Sequence, residues 1–197
     1  MANAEIVAIG SELLLGQIVD TNSTWMAQRL TALGVNLFYK SVVGDNPERM
    51  KEVLTRALER ADVVITSGGL GPTQDDLTRE VVAEVTGRKL VLNPHFLEQI
   101  DRRFRSRGFI MTPNNERQAY MPEGAIPVDN PNGTAPSFIV EDPRSSLPTA
   151  FSIVSSSTAK TCLPINCRTS ASIGAMSSNA ASFEGALAAT RISTWPG

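Results

Sequence analysis

The segment Thr66-Ser-Gly-Gly-Leu-Gly-Pro-Thr-Gln-Asp-Asp-Leu-Thr78 places three glycines, several hydroxyls and two adjacent carboxylates just after an apolar run, Val63-Val64-Ile65. Gly68, Gly69 and Gly71 let backbone N–H groups approach a ligand with no Cβ in the way. A helix expected to begin near Asp76 to Thr78 adds unpaired N–H groups and the positive end of its dipole, so turn and helix start together form a candidate phosphate site. Ser67, Thr73 and Thr78 offer further donors to phosphate oxygens, or simply stabilise the turn. The Lys-Ser/Thr pair that closes a Walker-type phosphate loop is missing. Asp75 and Asp76 stand where that positive charge would be. Two carboxylates beside a phosphate repel it unless a divalent cation lies between them, which makes Asp75 and Asp76 candidate ligands for Mg, Mn or Co. The competing reading is a tight β–α turn with Asp75 or Asp76 capping the helix.

A second cluster, Gly10-Ser-Glu-Leu-Leu-Leu-Gly-Gln-Ile-Val-Asp-Thr-Asn22, again puts glycine, acid and small polar groups between a strand and a helix. Gly10 and Ser11 offer donors, Glu12 a carboxylate, and Asp20 and Asn22 polar groups at the helix start. Alternatively, Asp20 or Thr21 only caps that helix. Glu12 lies between an apolar strand and Leu13-Leu14-Leu15, where a carboxylate without a partner would be costly to bury. The carboxyl ends of neighbouring parallel strands open onto one crevice, so the two clusters are expected to share a site. There Asp75 and Asp76 would hold cations against a pyrophosphate, while Glu12 or Asp45 oriented an attacking water. Asn132-Gly133-Thr134 reads either as a second substrate loop or as an ordinary Asn-Gly turn. His95 is the sole histidine and sits beside Pro94 at a helix start, so no nucleophile–histidine pair supports covalent catalysis.

The elements that must position these residues alternate. Strands are expected at 5–9, 36–43 and 63–65, with a short one at 89–92. Helices are expected at 21–33, after the Asn46-Pro47-Glu48 start to about 60, at 78–86 and at 94–107. Residues 114–119 read as a short helix, and 126–128 and 137–140 as edge strands. Alternation of this kind predicts an α/β fold with a parallel sheet covered on both faces.

The chain has 197 residues, a net charge of −2 and 42% hydrophobic residues, which suits one sizeable domain. The charge argues against nucleic-acid binding, and Arg102, Arg103, Arg105 and Arg107 read as a solvated helix face. No apolar run is long enough to span a membrane and no signal segment opens the chain, so a cytoplasmic protein without membrane contact is expected. With one histidine and two cysteines, a Cys/His zinc site is excluded.

Composition changes near Pro143. Of the 55 residues from 143 to 197, 27 are Ser, Ala or Thr, and a single acid faces four bases. A domain over residues 1–142 followed by an atypical tail over 143–197, disordered or read in a shifted frame, is expected.

Gly10 to Asn22 and Ser67 to Thr78, taken with Val42-Val43-Gly44-Asp45, Asn114-Asn115-Glu116-Arg117-Gln118-Ala119 and Asn130-Pro-Asn-Gly-Thr-Ala-Pro136, closely resemble the amino-terminal domain of CinA, the competence/damage-inducible proteins. That domain is similar to the molybdopterin-binding domains of molybdenum-cofactor biosynthesis proteins. The resemblance covers about residues 3–142. It implies a three-layer α/β/α fold with a mostly parallel sheet and a metal-dependent ADP-ribose pyrophosphatase activity. A homo-oligomer is expected if the domain is intact. The deamidase of longer CinA proteins belongs to a separate domain, so no deamidase activity is expected of these residues. The ligand expected is a small nucleotide or pterin, with molybdopterin as the alternative cofactor. The other readings are a non-catalytic molybdopterin- or nucleotide-binding module and an inactive truncated fragment, since the departure from the family pattern after Asp142 affects the last strand and one wall of the pocket.

Overall fold

The computed structural model describes residues 2–130 and 133–141 and the strand Ser152–Val154. Asn132, and most of the segment expected to form a tail, lie outside the described residues.

Strand β1 (Asn3–Ile9) is central to the sheet and almost wholly buried. It leads through a one-turn helix α1 (Ser11–Leu14) to α2 (Thr21–Ala32), β2 (Asn36–Val43), α3 (Pro47–Arg60) and β3 (Val63–Ser67). Next come α4 (Thr78–Val85), β4 (Leu90–Leu92), α5 (Pro94–Ser106), α6 (Pro113–Glu116) with the 3-10 turn Arg117–Ala119, β5 (Tyr120–Pro122), β6 (Ile126–Val128), β7 (Ser137–Ile139) and β8 (Ser152–Val154). The main sheet has the order β2-β1-β3-β8, and its three neighbouring pairs are all parallel. Two antiparallel pairs, β4 with β5 and β6 with β7, complete the strand pairing of the described residues.

Side-chain alternation assigns the faces. Val7, Ile9 and Val64 join Met50, Leu54 and Ala57 of α3 in one core, to which α4 adds Val81 and Val82 and α5 adds Phe96 and Ile100. The intervening Ile6, Ala8 and Ile65 are equally buried and face the other way, toward the side on which α2 buries Met26 and Leu30. Helices therefore cover both faces, as the alternating pattern predicts.

The helix starts follow their local chemistry. Asn46 accepts a hydrogen bond from the Arg49 N–H, and Pro47 occupies the first turn of α3. Asn93 caps α5 in the same way, accepting from His95 and Phe96. The sheet also contains a buried charge. Glu5 of β1 is 0% exposed and accepts two bonds of 2.8 Å from Arg60 at the end of α3. A third comes from the Ser41 hydroxyl of β2, also at 2.8 Å. The Arg60 guanidinium lies 3.8 Å from the centroid of the Tyr39 ring.

Three elements differ from the sequence pattern. α1 and β5 are too short to carry a period, and the pattern predicts neither. β8 lies within the segment assigned to the tail, yet pairs with β3 through Ile65↔Ser152 and Ser67↔Val154.

Asn46→Ala removes one helix cap and is expected to cost about 1 kcal/mol in urea unfolding. Replacing Arg60 by Ala leaves the Glu5 carboxylate buried with the Ser41 hydroxyl alone, and is expected to lower the urea midpoint further than Asn46→Ala does.

Candidate functional site

The carboxyl ends of β1, β2 and β3 lie side by side, so the loops that follow them share one edge. Ile9 pairs with Val43 and Ala8 with Ser67, and the Gly10 N–H extends the ladder to the Val43 carbonyl at 2.9 Å. Two of these loops are tied directly. Asp45 accepts from the Ser11 N–H at 2.8 Å, and its own N–H donates to the Ser11 hydroxyl at 3.1 Å. Gly10, Ser11, Glu12 and Asp45 are thus brought to the same edge as Ser67, Gly68 and Gly69.

The loop after β3 is held from beneath by α4. The Thr78 hydroxyl donates to Gly68 O at 2.9 Å, and the Thr78 N–H to Gly69 O at 3.2 Å. Arg79, 1% exposed, donates to Leu70 O at 2.6 Å and to Gly71 O at 2.7 Å. Arg117, from the 3-10 turn, donates to Thr73 O and to the Glu80 carboxylate, both at 2.9 Å. In a trans peptide the carbonyl of one residue and the N–H of the next point in opposite directions. With the carbonyls of Gly68, Gly69 and Leu70 drawn down, the N–H groups of Gly69, Leu70 and Gly71 turn away from α4. None of the three makes a hydrogen bond among the described residues. Leu70 packs its side chain into the core and is only 2% exposed.

This placement differs from the expected one in two respects. The α4 start lies beneath the loop, and its Thr78 N–H is already engaged by the Gly69 carbonyl rather than left open to a ligand. Neither Asp75 nor Asp76 caps α4, whose cap position is Leu77 with no side-chain bond. Asp76 instead accepts from the Thr73 N–H at 2.9 Å and from the Thr73 hydroxyl, closing the turn against Gly71. A Cβ on Gly71 would fall 2.4 Å from Asp76 Oδ2. Asp75 is exposed on the outside of the same turn. The Thr73 and Thr78 hydroxyls both serve the loop itself, and Ser67 is buried at the strand end.

In the first cluster Glu12 is exposed, because the leucines that follow it are not packed: Leu14 is 59% and Leu15 71% exposed. Its carboxylate lies over Gly10, where a Cβ would fall 2.7 Å from Oε1. Asp20 caps α2, accepting from the Ser23 N–H at 2.9 Å, and pairs with Lys40 at 3.0 Å. Burial pushes its carboxyl upward, but the Ser23 and Lys40 bonds outweigh that and hold it below the usual aspartate range. Asn22 lies half-buried in the first turn of α2.

Gly133 and Thr134 are not drawn into this edge by any of these bonds. Asn130 accepts from the Gly133 N–H at 2.9 Å and donates to Ala135 O at 2.8 Å, a turn built on its own side chain. Arg103 donates to the Gly133 and Asn130 carbonyls. Arg102 and Arg105 pair with Glu98 and Asp101 one turn away, so the arginine face of α5 is largely neutralised. His95 is exposed and bonded to Asp129.

Arg79 and Arg117 are the two residues that the motif reading does not single out. An arginine in the first turn of a helix opposes the dipole and ordinarily reads as a surface residue. Burial pushes the Arg79 guanidinium downward and Arg117 adds to this, while the Glu80 and Asp76 carboxylates oppose it; the net direction is down.

A divalent ion held by protein alone needs several converging ligands. Among the described residues no cluster of three or more His, Cys, Asp or Glu side chains is arranged to hold an ion. Asp75 and Asp76, two adjacent carboxylates, fit an ion shared with a ligand's phosphates rather than one held by the protein alone.

The protein-family model described as "Probable molybdopterin binding domain" matches residues 5–164, and the chain belongs to that family. A "Putative competence-damage inducible protein" of Acetivibrio thermocellus is 57% identical over 140 residues, which is 71% of this chain and 34% of the relative. A CinA-like protein of Trichormus variabilis is 48% identical over 139 residues, 71% of this chain and 33% of its own length. The chain therefore spans about a third of the length of these curated relatives. Among solved structures, CinA of Thermoplasma acidophilum, described as of unknown function, superposes with a TM-score of 0.69 and 32% identity over 78% of this chain and 88% of its own. A molybdenum-cofactor biosynthesis protein from Corynebacterium diphtheriae shares the fold at a TM-score of 0.53 and 15% identity, over 80% of this chain and 84% of its own. No helix among the described residues is long and apolar enough to cross a membrane.

The loop's close approach to β1 gives a direct test. A Cβ on Gly68, at φ 112°, would fall 2.0 Å from the Ile9 carbonyl oxygen, whereas Gly87, at φ 67°, has open space around it. Gly68→Ala is expected to destabilise by about 3 kcal/mol or more and Gly87→Ala by about 1 kcal/mol, both read by thermal unfolding.

Proposed function

We propose that the edge formed by the β1, β2 and β3 loops binds a phosphate-bearing small molecule and catalyses metal-assisted cleavage of a nucleotide pyrophosphate such as ADP-ribose. The observation that carries this reading is the run of outward-turned N–H groups at Gly69, Leu70 and Gly71, with the Asp76 carboxylate against Gly71 and Asp75 exposed in the same turn. These amides would hold the pyrophosphate oxygens.

Electrostatics favours a cation in the complex. Arg79 and Arg117 lie among the Asp76 and Glu80 carboxylates, and with the exposed Asp75 of the same turn the acids of the segment outnumber its bases before any phosphate arrives. Asp75 is exposed for coordination, and Asp76 keeps one oxygen beyond the one bonded to Thr73. A bound Mg, Mn or Co ion would neutralise developing charge and lower the pKa of a water. Glu12, exposed at the same edge, would orient the water. Asp45 has one oxygen committed to Ser11 and would position the Gly10–Ser11 turn. Water's oxygen would add to one phosphorus as the bond to the bridging oxygen breaks, leaving AMP and ribose 5-phosphate.

A second reading is supported by the family's molybdopterin-binding description and by the lack of a third acidic ligand among the described residues: the same amides would bind a pterin phosphate without turnover.

With Mg or Mn present, wild type is expected to release AMP from ADP-ribose. Asp75→Asn and Asp76→Asn are each expected to reduce kcat/KM by about a hundredfold or more. In the Asp76→Asn variant the side-chain amide oxygen can still accept the Thr73 N–H, so the fold should persist. Tight pterin binding with no pyrophosphate cleavage would decide for the second reading.

A further inference from the structure

The motif Asn114 to Ala119 has no part in the proposed chemistry, yet it delivers one side chain to the phosphate loop. Arg117 reaches Thr73 O across 44 residues of sequence at 2.9 Å, and its other amino group is fixed by Glu80 of α4 at 2.9 Å. Arg79 holds two carbonyls on the other side of Pro72, Leu70 O and Gly71 O, with one fork. Neither guanidinium places its recorded bonds on the ligand side. Both act on carbonyls, and each carbonyl they hold fixes a peptide plane.

We propose that Arg79 and Arg117 are positioning residues that set the anion-binding face of the Gly68–Thr73 loop by holding the Leu70, Gly71 and Thr73 carbonyls inward. This rests on the phosphate-site reading and adds to it the device that aims the donors. Arg79 turns the Gly71 N–H outward directly. At the next step Pro72 has no N–H, so no second donor competes there. Arg117 fixes the far end of the turn, where Thr73 also closes on Asp76. Without these clamps the Leu70–Gly71 peptide has the freedom to rotate and withdraw the Gly71 N–H, and the turn beyond it loosens.

The two arginines differ in a way that separates aim from charge. A lysine at either position keeps the charge but offers a compact ammonium in place of a planar fork, and cannot reproduce paired bonds to separated carbonyls. Arg117 is partly exposed, with side-chain exposure of 32%, so its replacement should leave the core intact. Arg79 is fully buried, and its replacement bears on folding as well.

The test measures binding of inorganic pyrophosphate with Mg by calorimetry on the full chain. It also follows the pyrophosphate-induced ¹H–¹⁵N shifts of the Gly69 and Gly71 amides, with thermal unfolding run alongside. Wild type is expected to bind with both amides shifting. Arg117→Gln should weaken binding by about tenfold and reduce both amide shifts while remaining folded, and Arg117→Lys should recover only part of the affinity. Arg79→Lys should lose more affinity than Arg117→Lys; if it does not fold, the Arg117 pair decides. Full recovery by Arg117→Lys, or unchanged affinity and amide shifts in Arg117→Gln, would overturn the positioning role while leaving the phosphate site standing. Absence of pyrophosphate binding in wild type would overturn the site itself, and the inference with it.

Discussion

The direction of a few peptide planes after β3 governs what the sheet edge can do. Gly68 passes so close to β1 that no Cβ fits against the Ile9 carbonyl, and from there the chain must turn over the start of α4. The turn is held by its carbonyls: Thr78 takes those of Gly68 and Gly69, Arg79 those of Leu70 and Gly71, and Arg117 that of Thr73. Because a peptide carries its donor opposite its acceptor, satisfying the acceptors inside the protein leaves donors facing out. Donors open to a ligand thereby arise from the backbone itself.

The remainder of the fold keeps that turn opposite its counterpart. β1 lies between β2 and β3, so the Gly10–Ser11 turn, the Gly44–Asp45 turn and the β3 loop all emerge at one edge. The reciprocal Ser11–Asp45 bonds lock two of them together. Within the same sheet, Glu5 is held by Arg60 and Ser41, linking β1 to both β2 and α3. A buried carboxylate has few satisfactory arrangements, and this one ties three elements to a single relative placement. On the proposed reading, the carboxylates of the loop are what a cation would bridge to a phosphate ligand.

Much of this is legible from residue patterns. Alternating strand and helix periods locate β1, β2, β3, α2, α3, α4 and α5, and cap chemistry locates the starts of α3 and α5, because those signals are local. The glycine turns are legible as turns, and the parallel order of the strands explains why both reach one edge. Three features are not legible. Glu12 lies in an apolar run that is exposed rather than packed, and composition cannot report which leucines are covered. The capping role open to Asp75 and Asp76 goes to neither, since Thr73, three residues before Asp76, competes successfully for its carboxylate. Arg79 and Arg117 carry no local signal for a clamp: their partners are backbone carbonyls, which every sequence supplies, and Arg117 meets its partner only through the tertiary fold.

The account's central claim is that the outward amides of the β3 loop are the phosphate donors and that Asp75 and Asp76 hold the accompanying cation. A crystal structure with a non-hydrolysable methylene analogue of ADP-ribose and Mn, read from its anomalous signal, addresses both together. The account predicts pyrophosphate oxygens within hydrogen-bond distance of the Gly69, Leu70 and Gly71 N–H groups, and the Mn peak between those oxygens and the two aspartates. A pyrophosphate seated elsewhere, with these amides still unpaired, would contradict it.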